Sequence, residues 1–141
     1  MQIIRKPISS AIRRNPRSAA VAVEMSIVLP VLMALVVGIV ESCNLIYIKQ
    51  SLTISAYEGA RAAVVKGMPL SDINARSNQI LVDRHITNAT ILVSPTPPSS
   101  ASYGTYITVR VQAPYAQNSL IPGWLFGGVT LQSSVRMMKE Y

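Results

Sequence analysis

Val21–Val40, VAVEMSIVLPVLMALVVGIV, is a run of twenty residues with one charge, Glu24. At about 1.5 Å rise per residue, a helix of about 20 residues covers the roughly 30 Å hydrocarbon core of a bilayer. Only a helix satisfies its backbone alone in lipid, so the run predicts a membrane-spanning helix. Pro30 removes one backbone donor and crowds the carbonyl of Ser26. A bend is expected there, with the Ser26 hydroxyl compensating in part. Gly38 adds a second soft point.

Five basic residues precede Glu24, namely Arg5, Lys6, Arg13, Arg14 and Arg17, and no acidic residue does. The positive-inside rule puts this arm in the cytoplasm and the residues after the span outside. Lys49 on the far side does not outweigh five cations. A removable secretory signal fits poorly: the arm is long, the apolar run is long, and Glu41-Ser42-Cys43-Asn44 offers no small-residue cleavage pattern. The expected layout is a basic arm (1–18), a transmembrane helix (19–43) and an extracytoplasmic α+β domain (44–141).

The chain has 141 residues and a net charge of +7. Much of that charge is the arm; beyond Cys43 there are eight basic and four acidic residues. The basic residues are scattered, which argues against nucleic-acid binding and leaves membrane lipid as the arm's natural contact. The outer part is long enough for one small domain with a modest core. A single cysteine, Cys43, excludes an internal disulfide. It reads as a small apolar filler, with intermolecular pairing as the alternative.

The helix is expected to continue past the membrane. Leu45, Ile48 and Leu52, then Ala56, Ala60, Ala63 and Val64, form one stripe, and Gly67-Met68-Pro69 ends it near Lys66. Such a helix, from about Ala19, would be roughly 70 Å long. Small residues at Ser55, Ala56, Gly59, Ala60 and Ala63 let another backbone come close. Ser71 is expected to cap a second helix, about Asp72 to Ile86, with Ile73, Ile80, Leu81 and Ile86 inward. Ala89–Ser94 is expected as a strand, and Pro95–Ser102 as a loop. The run from Tyr103 or Thr105 to Ala113 alternates cleanly, with Ile107, Val109, Val111 and Ala113 on one face. Pro114–Gly128 is a long connection, and Val129–Met138 is a last strand with Val129, Leu131, Ser133, Val135 and Met137 inward. The fold class is α+β: a long helix continuing into α-β-β-β with an antiparallel sheet.

Catalytic constellations are missing, so an enzyme is not indicated, and neither a cofactor nor a metal is expected. His85 is the only histidine and falls in the last turn of the second helix, where a cation is favourable. Glu58 and Arg61, at i and i+3, form an exposed helix pair or serve docking. Trp124-Leu125-Phe126 is either a lid on the core or an exposed interface tip. Glu24 has two readings. It sits in the headgroups if the span starts at Met25, or it pairs with a cation on a neighbouring helix and fixes register.

Several segments occur together in order: Ala22-Val23-Glu24-Met25, Val28-Leu29-Pro30-Val31-Leu32, Gly38-Ile39-Val40-Glu41, and Glu58-Gly59-Ala60-Arg61-Ala62-Ala63. Over Arg13–Lys66 this resembles the TadE-like family, pilin-like minor subunits of the Tad, or Flp, pilus machinery. The resemblance implies a pilin-like fold and a single-pass protein of the inner membrane. It implies a role in pilus assembly beside other pilin-like subunits and pilus assembly proteins. It also implies removal of the basic leader by a prepilin peptidase. Relatives typically carry Gly five residues before the Glu; here Ala19 stands there, so the cut would fall between Ala19 and Ala20. Glu24 would then serve assembly, with Gly38, Glu41, Glu58, Gly59 and Arg61 in helix packing. The competing expectation is a membrane-tethered binding module that never enters a fibre.

Overall fold

The structure, a computed structural model, describes residues 16–121 and 126–140. The basic arm up to Asn15 therefore lies outside the described residues. Helix α1 spans Pro16–Ala63, helix α2 Leu70–Asp83, and strands β1, β2 and β3 span Thr90–Ser94, Tyr106–Pro114 and Thr130–Met138. Single 3-10 turns occupy Pro98–Ser100 and Tyr115–Gln117. The chain divides into a unit ending at Val37 and a unit covering Gly38–Tyr141, with α1 contributing to both.

In the first unit α1 is bare. Every described side chain from Ala19 to Val36 is exposed, including Ile27 at 67% and Leu29 at 60%. A helix apolar all round and covered nowhere matches a lipid environment, not water. Among the described residues one helix is long and apolar enough to cross a membrane. The helix runs through Pro30 without a break. The Ser26 hydroxyl donates to the Ala22 carbonyl at 2.5 Å, so it does not serve the Ser26 carbonyl that Pro30 deprives of its donor.

The second unit packs one face of α1 and α2 against one face of a three-stranded antiparallel meander in the order β1-β2-β3. Thr90 pairs with Gln112 and Tyr106 with Met138, which places Ile107, Val109, Val111 and Ala113 on one face, all fully buried. They join Ile48, Leu52, Ala56 and Ala60 of α1 with Ile73 and Leu81 of α2. Burying each of the larger side chains contributes about 1.5–3 kcal/mol; the alanines contribute mainly by letting the layers approach.

Gly59 shows how close that approach is. A Cβ there would stand 2.1 Å from Ser77 Oγ and 3.2 Å from Val109 Cγ1. Around it Ser55 Oγ donates to the Ser77 carbonyl at 2.9 Å, and Ser77 Oγ returns a bond to the Ser55 carbonyl at 3.2 Å. The pair satisfies two buried hydroxyls where the helices touch.

The edges differ from expectation in physical detail. α1 stops at Ala63, three residues before Lys66, and the chain turns through Gly67 at φ +75°. Ser71 does not cap α2: Pro69 holds the extended cap position at φ −72°, and the Ser71 hydroxyl turns to Asp72. Ile80 is only half-buried, and Val129 precedes β3 and is 41% exposed rather than inward. The chain after Ser94 is closed by Lys139, only 5% exposed, whose ammonium donates to the carbonyls of Pro98, Ser99 and Ala101 at 3.1, 3.3 and 3.1 Å. Three donors meet three acceptors, so the buried cation is satisfied without a carboxylate.

His85 lies beyond α2 rather than in its last turn. It is exposed and takes φ 57°, the left-handed conformation that normally selects glycine. Its N–H donates to the Val82 carbonyl at 3.0 Å, and the Ile86 N–H reaches the Leu81 carbonyl at 2.8 Å. Ile86 and Leu81 are both in the core, which completes a Schellman ending. His85→Gly removes the Cβ penalty at that φ and is expected to raise stability by about 0.5–1 kcal/mol. Thermal unfolding in detergent checks this; an unchanged or lower midpoint contradicts it.

Candidate functional site

Of the three carboxylates on α1, Glu24 and Glu41 are treated in opposite ways. Glu24 lies in the exposed unit with Ala19 and Ala20 N-terminal to it, all three on a bare helix surface. No hydrogen bond or ion pair reaches Glu24 among the described residues. A carboxylate on an apolar helix without a partner is costly in lipid, so Glu24 calls for a partner beyond the described residues.

Glu41 follows directly on the apolar run and is 1% exposed. It is held by a segment far along the chain. The Tyr115 hydroxyl donates to Glu41 Oε2 and lies 3.1 Å from the Glu41 carbonyl; the Ile121 N–H donates to Oε1 at 2.8 Å. One turn on, Asn44 Nδ2 donates to the Asn118 carbonyl at 3.0 Å. Asn118 in turn accepts from the Thr87 N–H at 2.7 Å and donates to the Thr87 and Pro114 carbonyls. The turn after α2 and the segment after β2 are thereby bound to the same level of α1.

Tyr115 is itself 1% exposed, and Phe126 meets it edge-on with centroids 5.8 Å apart and planes at 87°. Burial, then the hydrogen bond to Glu41, raise the phenol above its ordinary value of 10.0; Asn44 draws it partly back, and the Glu41 charge adds to the rise. Phe126 thus serves as a lid on the core. Trp124 and Leu125, the rest of the apolar tip, lie outside the described residues.

The other residues expected in helix packing divide. Gly59 is enclosed between Ser77 and Val109, whereas a Cβ on Gly38 would meet nothing within 4 Å. Glu58 and Arg61 face each other at 3.8 Å with side chains 34% and 70% exposed, an ion pair worth only tenths of a kcal/mol. Sequence reasoning missed Tyr115, Asn118 and Lys139. Their side-chain hydrogen-bond partners lie from 31 to 74 residues away, except for the Asn118 bond to Pro114, and no local pattern announces them. Glu41 carried a usable signal, since it stands at the head of the stripe of Leu45, Ile48, Leu52 and Ala56.

Removing the Tyr115 hydroxyl leaves a buried carboxylate with one donor fewer. Tyr115→Phe is expected to cost about 1.5–3 kcal/mol at neutral pH, the range for hydrogen bonds to charged groups. The sign with pH follows from the raised folded value. Below pH 10.0 the phenol is neutral in both states and its contribution is complete. Above that value the unfolded chain ionises first, so stability falls as pH rises until the folded phenol ionises as well. Denaturant unfolding from pH 8 to 12 should show a shallower alkaline loss in Tyr115→Phe; parallel curves would contradict the assignment.

Among the described residues no group of three or more His, Cys, Asp or Glu side chains is placed to hold a metal ion. No curated protein and no solved structure matches the chain. The segment that carries Ala19, Glu24, Glu41 and the Gly59 contact does match a family model: residues 19–61 are similar to the TadE-like protein family.

Proposed function

We propose that the chain is a non-enzymatic, pilin-like minor subunit that acts in the assembly of Tad, or Flp, type pili. In this reading α1 inserts in the inner membrane with the basic arm cytoplasmic and the Gly38–Tyr141 unit on the periplasmic or extracellular side. Its partners are other pilin-like subunits, pilus assembly proteins and membrane lipid. Glu24 carries the reading: a carboxylate without a partner among the described residues, on a bare apolar helix, within the TadE-like segment. A neighbouring helix supplies the partner that the described residues do not. Cleavage of the leader by a prepilin peptidase between Ala19 and Ala20 would create an amine on Ala20 that can neutralise Glu24 of the adjacent subunit.

A tethered binding module is the competing reading, favoured by Ala19 at the place where Gly is usual before the cut. Glu24→Leu separates the two. Fibres counted by electron microscopy should be lost while the protein still inserts in the membrane at normal levels. Normal piliation would remove Glu24 from the assembly. The N-terminal sequence of membrane-purified protein is expected to begin at Ala20; an uncleaved arm would favour the tether.

A further inference from the structure

The chain between the turn after β2 and Ile121 lies at a particular height on α1. Val21–Val40, at about 1.5 Å per residue, fills the roughly 30 Å hydrocarbon core, so Glu41 stands at its far boundary. Glu41 and Asn44, within one helical turn, grip Ile121 and Asn118 respectively. The residue between those grips that projects most is Leu120, 65% exposed, with Ile121 itself at 37%. Neither side chain is used by the core.

We infer that Leu120 and Ile121 are seated in the interface of the bilayer that α1 crosses, so that the lipid surface itself is their partner. The inference rests on the membrane-spanning reading of α1. Isolated exposed apolar residues are ordinary on soluble surfaces. Here their level decides: they are pinned where hydrocarbon gives way to headgroups. The same level on α1 exposes Ile46 at 55% and Tyr47 at 44%. Tyr47 donates its hydroxyl to the Arg84 carbonyl at 3.3 Å, presenting an apolar ring with a satisfied polar tip, as tyrosines do at membrane interfaces. No carboxylate lies in 42–57 or 114–121, so nothing in either segment repels an anionic headgroup. The Glu41 carboxylate, which would be expensive there, is 1% exposed and spends its oxygens on the Tyr115 hydroxyl and the Ile121 N–H. The contact would steady the outer unit against the membrane from a second point, beside the helix.

The test uses the full chain in phosphatidylcholine–phosphatidylglycerol vesicles, with Cys43→Ser as background and a single NBD-labelled cysteine. Leu120→Cys is compared with Met33→Cys in the span and Ser99→Cys in the loop held by Lys139. Lipids carrying a doxyl group at carbon 5 report bilayer contact, and iodide on both sides of the vesicle reports water. Lipid quenching of Leu120→Cys is expected to exceed that of Ser99→Cys by about twofold or more, with weaker iodide quenching. Quenching of Leu120→Cys equal to Ser99→Cys, with Met33→Cys deep in lipid, overturns the inference and leaves the span intact. Shielding from iodide without lipid quenching overturns it in favour of a protein contact. If Met33→Cys is not lipid-quenched, the span and this inference fall together.

Discussion

A carboxylate buried to 1% exposure must find donors without relying on bulk water, and the donors Glu41 uses organise the Gly38–Tyr141 unit. They come from Tyr115 and Ile121, 74 and 80 residues further on. To deliver them, β2 must descend α1, with Val109 beside Gly59 near the top and Tyr115 at Glu41. β3 then climbs back: Thr53 meets Ser133, and Lys49 donates to the Gln132 carbonyl. Leaving a buried charge without partners costs several kcal/mol, more than most single contacts in so small a core contribute. The antiparallel order of the sheet is thus tied to one acid at the foot of the helix.

α1 is covered differently along one continuous element. Up to Val36 its described side chains are exposed on every side, and beyond Gly38 only one stripe is covered. The stripe begins with Glu41 and Ile48 and narrows to Gly59, Ala60 and Ala63, where α2 crosses at serine-to-serine distance. Small residues there exchange hydrophobic area for proximity. The family match covers this helix from Ala19 to Arg61, while α2 and the sheet lie beyond it.

Local periodicity accounts for what was legible in the sequence. The apolar run, the 3.6-residue stripe of Ile48, Leu52, Ala56 and Ala60, and the two-residue alternation of Ile107 to Ala113 each express one element burying one face. The α+β class and the three strands follow from those patterns. What stayed hidden depends on contacts between distant residues. Tyr115 in a long connection looks like any loop tyrosine until it meets Glu41. Lys139, near the last strand's end, looks like a solvated charge until three carbonyls surround it. The cap of α2 was misplaced because Pro69, which fixes its own φ, took the extended position one residue before the helix, ahead of Ser71. Glu24 was legible as an anomaly, but its partner does not lie among the described residues of one chain.

The grip of Lys139 on its loop is made entirely through main-chain oxygens. An ammonium that recognises carbonyls is indifferent to the side chains those residues carry, and the Ser99 side chain is exposed. Shape and sequence are therefore uncoupled at this place. One lysine holds the loop by its backbone, so an exposed side chain such as that of Ser99 is left open to change without refolding the domain beneath.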